Sequence, residues 1–121
     1  MKALIADDDR VHVRMVSNFL RQKGIEAIPV YDGVQTLMFT RRTSPDLIIL
    51  DIQMPAGNGF QVLNNLKASS LTAHIPVVVL SGSVDAEDQQ RVIQCGADAF
   101  VSKSADHEEL YKVICRLLGI S

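Results

Sequence analysis

Aromatic residues make up only 5% of this 121-residue chain, and no run of lysine or arginine interrupts it. The formal net charge is −2 and the isoelectric point is about 5.8. A protein that grips nucleic acid or an anionic membrane directly carries a basic patch, so neither partner is expected. No apolar stretch approaches the roughly 18–20 residues of a membrane span. No charged leader with an apolar signal region precedes the first strand, which makes a cytoplasmic location the expectation. Cysteine is scarce as well. Cys95 and Cys115 are the only two, and they form no CxxC pair. A disulfide framework or a zinc site needs more ligands, more closely spaced. Both are expected to pack as small apolar groups on helices. His12, His74 and His107 are scattered without HExxH spacing and are read as surface or packing residues.

What is present is enough apolar material for one core. The hydrophobic fraction is 47% and the charged fraction 21%, ordinary values for a globular domain. The length suits a single domain over residues 1–121, with no linker, repeat or low-complexity segment, and nothing beyond the last helix to suggest a second domain.

Short apolar runs alternate with amphipathic segments along the whole chain. Strands are expected at about 2–7, 25–30, 46–50, 77–80 and around Ala99-Phe100-Val101. The third and fourth are continuously apolar, as central parallel strands covered on both faces must be. The second carries Glu26 and Pro29, and a proline donates no ladder hydrogen bond, so it belongs at an edge. Helices are expected at about 10–23, 33–43, from near Asn58, 85–95 and 107–118. On the first, Val11, Met15 and Phe19 form one stripe with Val16 and Leu20 beside it. Gly24 and Gly96 stop helices, Asp32 caps one, Asp9 opens the first, and Asp106 with Glu109 resembles a capping box. Five βα units in this length give a three-layer α/β domain. Right-handed crossovers with strand two outside lead to a five-stranded parallel sheet of order 2-1-3-4-5, the flavodoxin-like arrangement, whose ligand site lies where strands one and three part.

Asp7 and Asp8 follow the first strand, Asp51 the third, Ser81 the fourth and Lys103 the fifth. In a parallel sheet all of these meet at the carboxyl edge. Three neighbouring carboxylates repel one another, so a cation or a chemical task must hold them together. Oxygen-only donors suit Mg²⁺, or Mn²⁺ in its place. Asp8 and Asp51 could ligate it directly, Asp7 through water, and the backbone carbonyl of Gln53 could add an oxygen. Asp51 is also a plausible nucleophile toward phosphorus. The cation, Lys103 and Ser81 would then neutralise and position the transferring group.

The segments LIADDDR, LIILDIQMP, VVVLSGS and GADAFVSK resemble the receiver domain of two-component response regulators, in the right order over nearly the whole chain. The resemblance implies that Asp51 is the phosphoacceptor, that Asp7 and Asp8 hold Mg²⁺, that Ser81 is the switch hydroxyl and that Lys103 contacts the phosphoryl group. Phe100 occupies the aromatic switch position. Gln53 and Ser83 occupy the two positions that tune phosphoryl lifetime, and both are small and polar enough to admit water. The implied donor is a phosphohistidine on a sensor histidine kinase or phosphotransfer protein, docking around Arg10, Val11, Arg14 and residues 104–106. The implied output is a changed face of helix four, strand five and helix five, including Arg91, Lys112 and Arg116, for an effector or a phosphorylation-dependent homodimer. A switch of this kind assists its own phosphorylation and dephosphorylation and turns over no external substrate.

Three positions depart from the family pattern. Ser104 stands where the family has proline after a cis bond. A cis bond before serine costs about 2.5–4 kcal/mol, so either that strain is kept or the bond is trans and its loop shifts. Asn58 replaces a common Asp, with little effect expected on helix capping. Gly82 replaces a commoner alanine and loosens the loop after strand four. Among other chemistries, an aspartyl-nucleophile phosphohydrolase of the haloacid dehalogenase type wants a second Asp two residues after the first, where this chain has Gln53. Nucleotide-binding glycine signatures are absent after strand one. A receiver-like scaffold without phosphorylation would lack one of the key residues, and none is missing.

Overall fold

The structure is a computed structural model that describes residues 1–54, 59–82 and 85–120. Five strands alternate with five helices: β1 Lys2–Ala6, α1 Arg10–Gln22, β2 Glu26–Val30, α2 Gly33–Thr43, β3 Leu47–Asp51, α3 Gly59–Ala68, β4 Val77–Ser81, α4 Ala86–Gln94, β5 Ala99–Ser102 and α5 His107–Leu118. The sheet is parallel throughout, in the order β2-β1-β3-β4-β5. Pro29 therefore lies on an edge strand, as its missing N–H requires. The expected start of the third helix at Asn58 falls outside the described residues.

Each face of the sheet carries its own core. Ala3, Ile5, Leu47, Ile49, Val78 and Leu80 pack with Val13, Val16, Leu20, Leu110 and Ile114 from α1 and α5. The alternate residues Leu4, Ile48, Leu50, Val77 and Val79 pack with Val62, Leu63, Leu66 and Val92 from α3 and α4. Because successive side chains on a strand point to opposite faces, an unbroken apolar run feeds both layers at once. Leu47, Ile48, Ile49 and Leu50 are all at most 1% exposed. Burying each such side chain is worth about 1.5–3 kcal/mol.

Aspartates start four of the helices. Asp9, Asp32, Asp85 and Asp106 each accept hydrogen bonds from backbone N–H groups of the first turn. Such a cap contributes about 1 kcal/mol. Asp106 accepts from the Glu109 N–H at 2.8 Å, which is the expected half of a capping box. Gly24 and Gly96, at φ +82° and +104°, turn the chain out of α1 and α4 in the left-handed conformation that glycine adopts without strain. Ser44 ends α2 at φ 46°, a position that no glycine signal announced.

The inward face of α1 differs from the expected stripe. Val13, Val16, Ser17 and Leu20 are buried, whereas Val11 and Met15 are 67% and 53% exposed. The buried set has i, i+3, i+4, i+7 spacing, and a serine in its middle hides it from a hydrophobic count. On α5, Leu110 and Ile114 are buried, Val113 and Leu117 pack partly, and Cys115 joins them. Cys115 is a free buried thiol, and Cys95 is a half-buried one at the α4 C-cap.

At the amino edge of β4, Lys67 donates to the Ile75 carbonyl at 2.8 Å and to Asp98 Oδ2 at 2.9 Å. Asp98 Oδ2 also accepts the Val77 N–H at 2.8 Å. This knot ties α3 to the entries of β4 and β5, at the end of the sheet opposite the acidic residues.

Candidate functional site

Register delivers the site. Ala6 pairs with Leu50 across β1 and β3, so Asp7 and Asp51 emerge side by side. Asp51 pairs with Leu80, and Ser81 with Ser102. The Lys103 N–H then donates to the Ser81 carbonyl at 2.9 Å, which sets the lysine beside the end of β4. Ligand oxygens of Asp7, Asp8 and Asp51 all lie within 4.8 Å of one another. Asp7 and Asp51 are buried, while Asp8 is exposed.

Lys103 joins the two buried carboxylates. Its Nζ is 3.1 Å from Asp51 Oδ2 and 3.1 Å from Asp7 Oδ2. Three carboxylates against one ammonium still leave two negative charges uncompensated. The Gln53 N–H donates to Asp51 Oδ1 at 2.9 Å. The Asp9 N–H donates to Asp7 Oδ1 at 3.0 Å. His12 Nδ1 approaches Asp7 Oδ2 at 2.8 Å.

The two buried carboxyls are driven apart electrostatically. Burial pushes Asp51 up, the negative charge of Asp7 adds to that, and the Gln53 N–H and Lys103 pull back only part of it. Burial opposes ionisation of Asp7 too, but His12, the Asp9 N–H and Lys103 together outweigh it and hold Asp7 well below the usual carboxylate range. Burial would lower Lys103, yet hydrogen bonds and charge from Asp51 and Asp7 raise it above the ordinary lysine value. The lysine is thus locked as a cation between them.

Of the other expected residues, Ser81 and Gln53 lie beside this cluster. Ser81 is fully buried at the end of β4. Phe100 is half-buried and packs against the core layer of α3 and α4. The Gln53 side chain reaches across the loops, where its Oε1 accepts the Gly82 N–H at 3.2 Å. That bond ties the Gly82 end of the loop to Gln53, whereas glycine alone suggested loosening. Ser83 lies outside the described residues. The Lys103–Ser104 bond is trans, as are all peptide bonds among the described residues. Lys103 keeps both carboxylate contacts in that geometry. The turn carrying it is held by the Ser104 N–H and the Ala105 N–H, which donate to Ser102 Oγ at 3.2 Å and to the Ser102 carbonyl at 3.0 Å.

His12 is the residue that the sequence reading missed. Scattered spacing suggests a surface or packing residue, but its imidazole sits against Asp7. The available signal was positional: one turn into a helix that starts three residues after a strand-end carboxylate, a side chain can reach back to that carboxylate. Among the expected docking residues, Arg10 lies over the Tyr31 ring, 3.9 Å from its centroid, and Val11 stands exposed. Arg91 is engaged rather than free, stacked 3.7 Å over the Phe60 ring.

The donor set of the pocket is all oxygen, close-set and open to solvent on the Asp8 side. That chemistry fits a hard divalent cation that keeps several waters. The response regulator receiver domain model matches residues 3–115. The chain belongs to the response regulator receiver domain family. A curated relative, the polar-differentiation response regulator DivK of Brucella anthropi, is 29% identical over 116 residues, 96% of this chain and 94% of that one. The receiver domain of a signal transduction histidine kinase from Syntrophus aciditrophicus superposes with a TM-score of 0.90 at 31% identity, covering 98% of this chain and 89% of that one. The chemotaxis response regulator CheY4 of Vibrio cholerae gives a TM-score of 0.90 at 29% identity over 97% and 98% of the two chains. This receiver domain is therefore a signalling component of a two-component system, in a family of switches rather than substrate-turnover enzymes. Among the described residues, no helix is long and apolar enough to cross a membrane.

Proposed function

We propose that this receiver domain is a phosphorylation-activated switch whose phosphoacceptor is Asp51. The observation that carries this reading is the meeting of Asp51, Asp7, Asp8 and Lys103 in one pocket at the carboxyl edge of the sheet. An Asp51 oxygen attacks the phosphorus of a phosphohistidine on a sensor histidine kinase or phosphotransfer protein. The new P–O bond forms as the P–N bond breaks, the electron pair stays on that nitrogen, and the imidazole, already protonated on its other ring nitrogen, leaves as a neutral ring. Burial destabilises the Asp51 anion, which makes it the more basic and more nucleophilic of the two buried carboxylates.

Asp8, Asp51 and the Gln53 carbonyl are the residues that would hold Mg²⁺ or Mn²⁺, with Asp7 acting through water. Both Asp7 oxygens already accept hydrogen bonds, which favours that indirect role. Bound there, the cation supplies neutralisation of charge on the phosphoryl oxygens. Lys103 supplies a second positive charge, fixed by its two carboxylate partners. Ser81, fully buried beside the pocket, is the hydroxyl that engages the phosphoryl group. Its shift makes room for Phe100 to turn inward. The phosphoryl group adds about −1.5 to −2 of charge and biases an equilibrium between two packings of the α4, β5 and α5 face. That face is where an effector or a second copy would sense the change. Gln53 and Ser83 set the phosphoryl lifetime. The domain spans residues 1–121, works in the cytoplasm, and meets neither nucleic acid nor membrane directly.

The test is incubation with Mg²⁺ and acetyl phosphate, followed by intact-mass measurement. The wild-type domain is expected to gain the mass of one phosphoryl group and Asp51→Asn to gain none. An unmodified wild type, or equal modification of both, overturns the proposal.

A further inference from the structure

Asp7 is held at both ends of its carboxylate. Oδ1 accepts the Asp9 N–H at 3.0 Å, and Oδ2 receives His12 Nδ1 at 2.8 Å. A carboxylate at this site offers only acceptor positions, so Nδ1 carries the hydrogen and donates. The His12 side chain is 16% exposed and that of Asp7 is 2% exposed, so water competes little for the bond. The donor is itself fixed. Asp9 caps α1 and accepts the His12 N–H at 3.2 Å, which places His12 in the first turn. The His12 imidazole then reaches back past the cap to the carboxylate two residues before it. Two donors at opposite ends stop the Asp7 carboxylate from turning about its last torsion. Its remaining lone pairs then face Lys103 and the space shared with Asp8 and Asp51.

We propose that His12 is a positioning residue of the cation pocket, holding the Asp7 carboxylate in the orientation from which it anchors the water shell of a bound divalent ion. The inference rests on the pocket assignment above and deepens it. Without the imidazole donor, Lys103 is the main remaining side-chain partner of Oδ2, and the carboxylate swings toward it. Outer-shell hydrogen bonds that orient ligands are commonly worth ten- to a hundredfold in metal affinity.

Calorimetric titration with Mg²⁺ of wild type, His12→Leu, His12→Ala and His12→Asn tests this. The Asn amide nitrogen falls where Nδ1 sits, so His12→Asn restores a donor, whereas Leu and Ala supply none. We expect the two non-donor variants to bind Mg²⁺ about tenfold more weakly and His12→Asn to bind close to wild type. At saturating Mg²⁺ all variants should reach a similar maximal rate of phosphorylation by acetyl phosphate, because His12 acts on ion uptake rather than on transfer. Circular dichroism confirms that each variant is folded, and two non-donor variants guard against one that is not. Non-donor variants that bind as wild type does, or His12→Asn binding as weakly as His12→Leu, overturn the role of His12 alone. A wild type that takes up no Mg²⁺ overturns the pocket assignment with it.

Discussion

Replacing Asp51 by Asn is expected to stabilise the metal-free domain at neutral pH, although it removes a salt-bridged residue. Asp51 attracts Lys103 at 3.1 Å, worth about 5 kcal/mol at an effective dielectric of about 20. It repels Asp7 within 4.8 Å by at least about 3.5 kcal/mol on the same footing. The exposed Asp8, screened by water, adds about 1 kcal/mol more repulsion. These charges nearly cancel, and the desolvation of a fully buried anion tips the balance against the carboxylate. Asn keeps an oxygen for the Gln53 N–H, and Lys103 keeps Asp7. The net gain should be about 1–2 kcal/mol, since a buried anion's desolvation costs more than its nearly cancelled charge interactions return. The pH dependence carries a definite sign. A carboxyl pushed up in the folded state contributes stability at low pH that is lost as pH rises through its folded pKa. The wild type therefore carries a constant deficit above that window, and the advantage of Asn should shrink as the pH falls through it. Asp7, held down, acts oppositely: its contribution is present above the usual carboxylate range and is lost only in stronger acid. Urea denaturation in EDTA, at neutral and acidic pH, reads all of this. Mg²⁺ should then reverse the order, since a ligand at a hundred times its Kd adds about 2.7 kcal/mol to the form that binds it. An Asn variant no more stable than wild type in EDTA, or an advantage that is undiminished in acid, would refute the reasoning.

Other perturbations probe other parts of the fold. A Cβ on Gly59 would meet the Ile52 carbonyl oxygen and lie 2.6 Å from Ile52 Cα, all backbone that cannot yield locally. Gly59→Ala should cost about 1–3 kcal/mol in denaturant unfolding and, by pushing on the residue after Asp51, weaken Mg²⁺ binding too. Asp98→Ala should cost about 1–3 kcal/mol, because it leaves the Val77 N–H and Lys67 without their shared acceptor; an unchanged urea midpoint would dismiss the knot. The phosphorylated domain should lose its phosphoryl group within hours, as Gln53 is polar and stands exposed at the pocket mouth. A decay of intact mass over many hours would contradict this.

The sheet was legible because its signals were redundant. The runs LIIL and VVVL admit no exposed face, and Pro29 admits only an edge. Strand ends then placed Asp7, Asp51, Ser81 and Lys103 together without any knowledge of contacts. Helix α1 was less legible because apolar residues stand on two of its sides, Val11 and Met15 exposed, Val13, Val16 and Leu20 buried. Two stripes competed, and the true one contains Ser17. His12 could be paired only by combining two signals, the strand-end position of Asp7 and the helix start that Asp9 caps. The geometry at Ser104 was open because both bond states fit the sequence, and the left-handed turn at Ser44 had no glycine to mark it.

The two central strands have a further side. Leu47–Leu50 and Val77–Leu80 are adhesive whenever the chain is unfolded, since such segments pair with copies of themselves. Asp46 and Asp51 bracket the first of them, and charged flanks of this kind discourage misassembly. A neutral residue at position 51 should therefore leave the native state firmer yet raise light scattering during refolding at high protein concentration. The same carboxyl group would serve the nascent chain as a guard before it serves the finished domain.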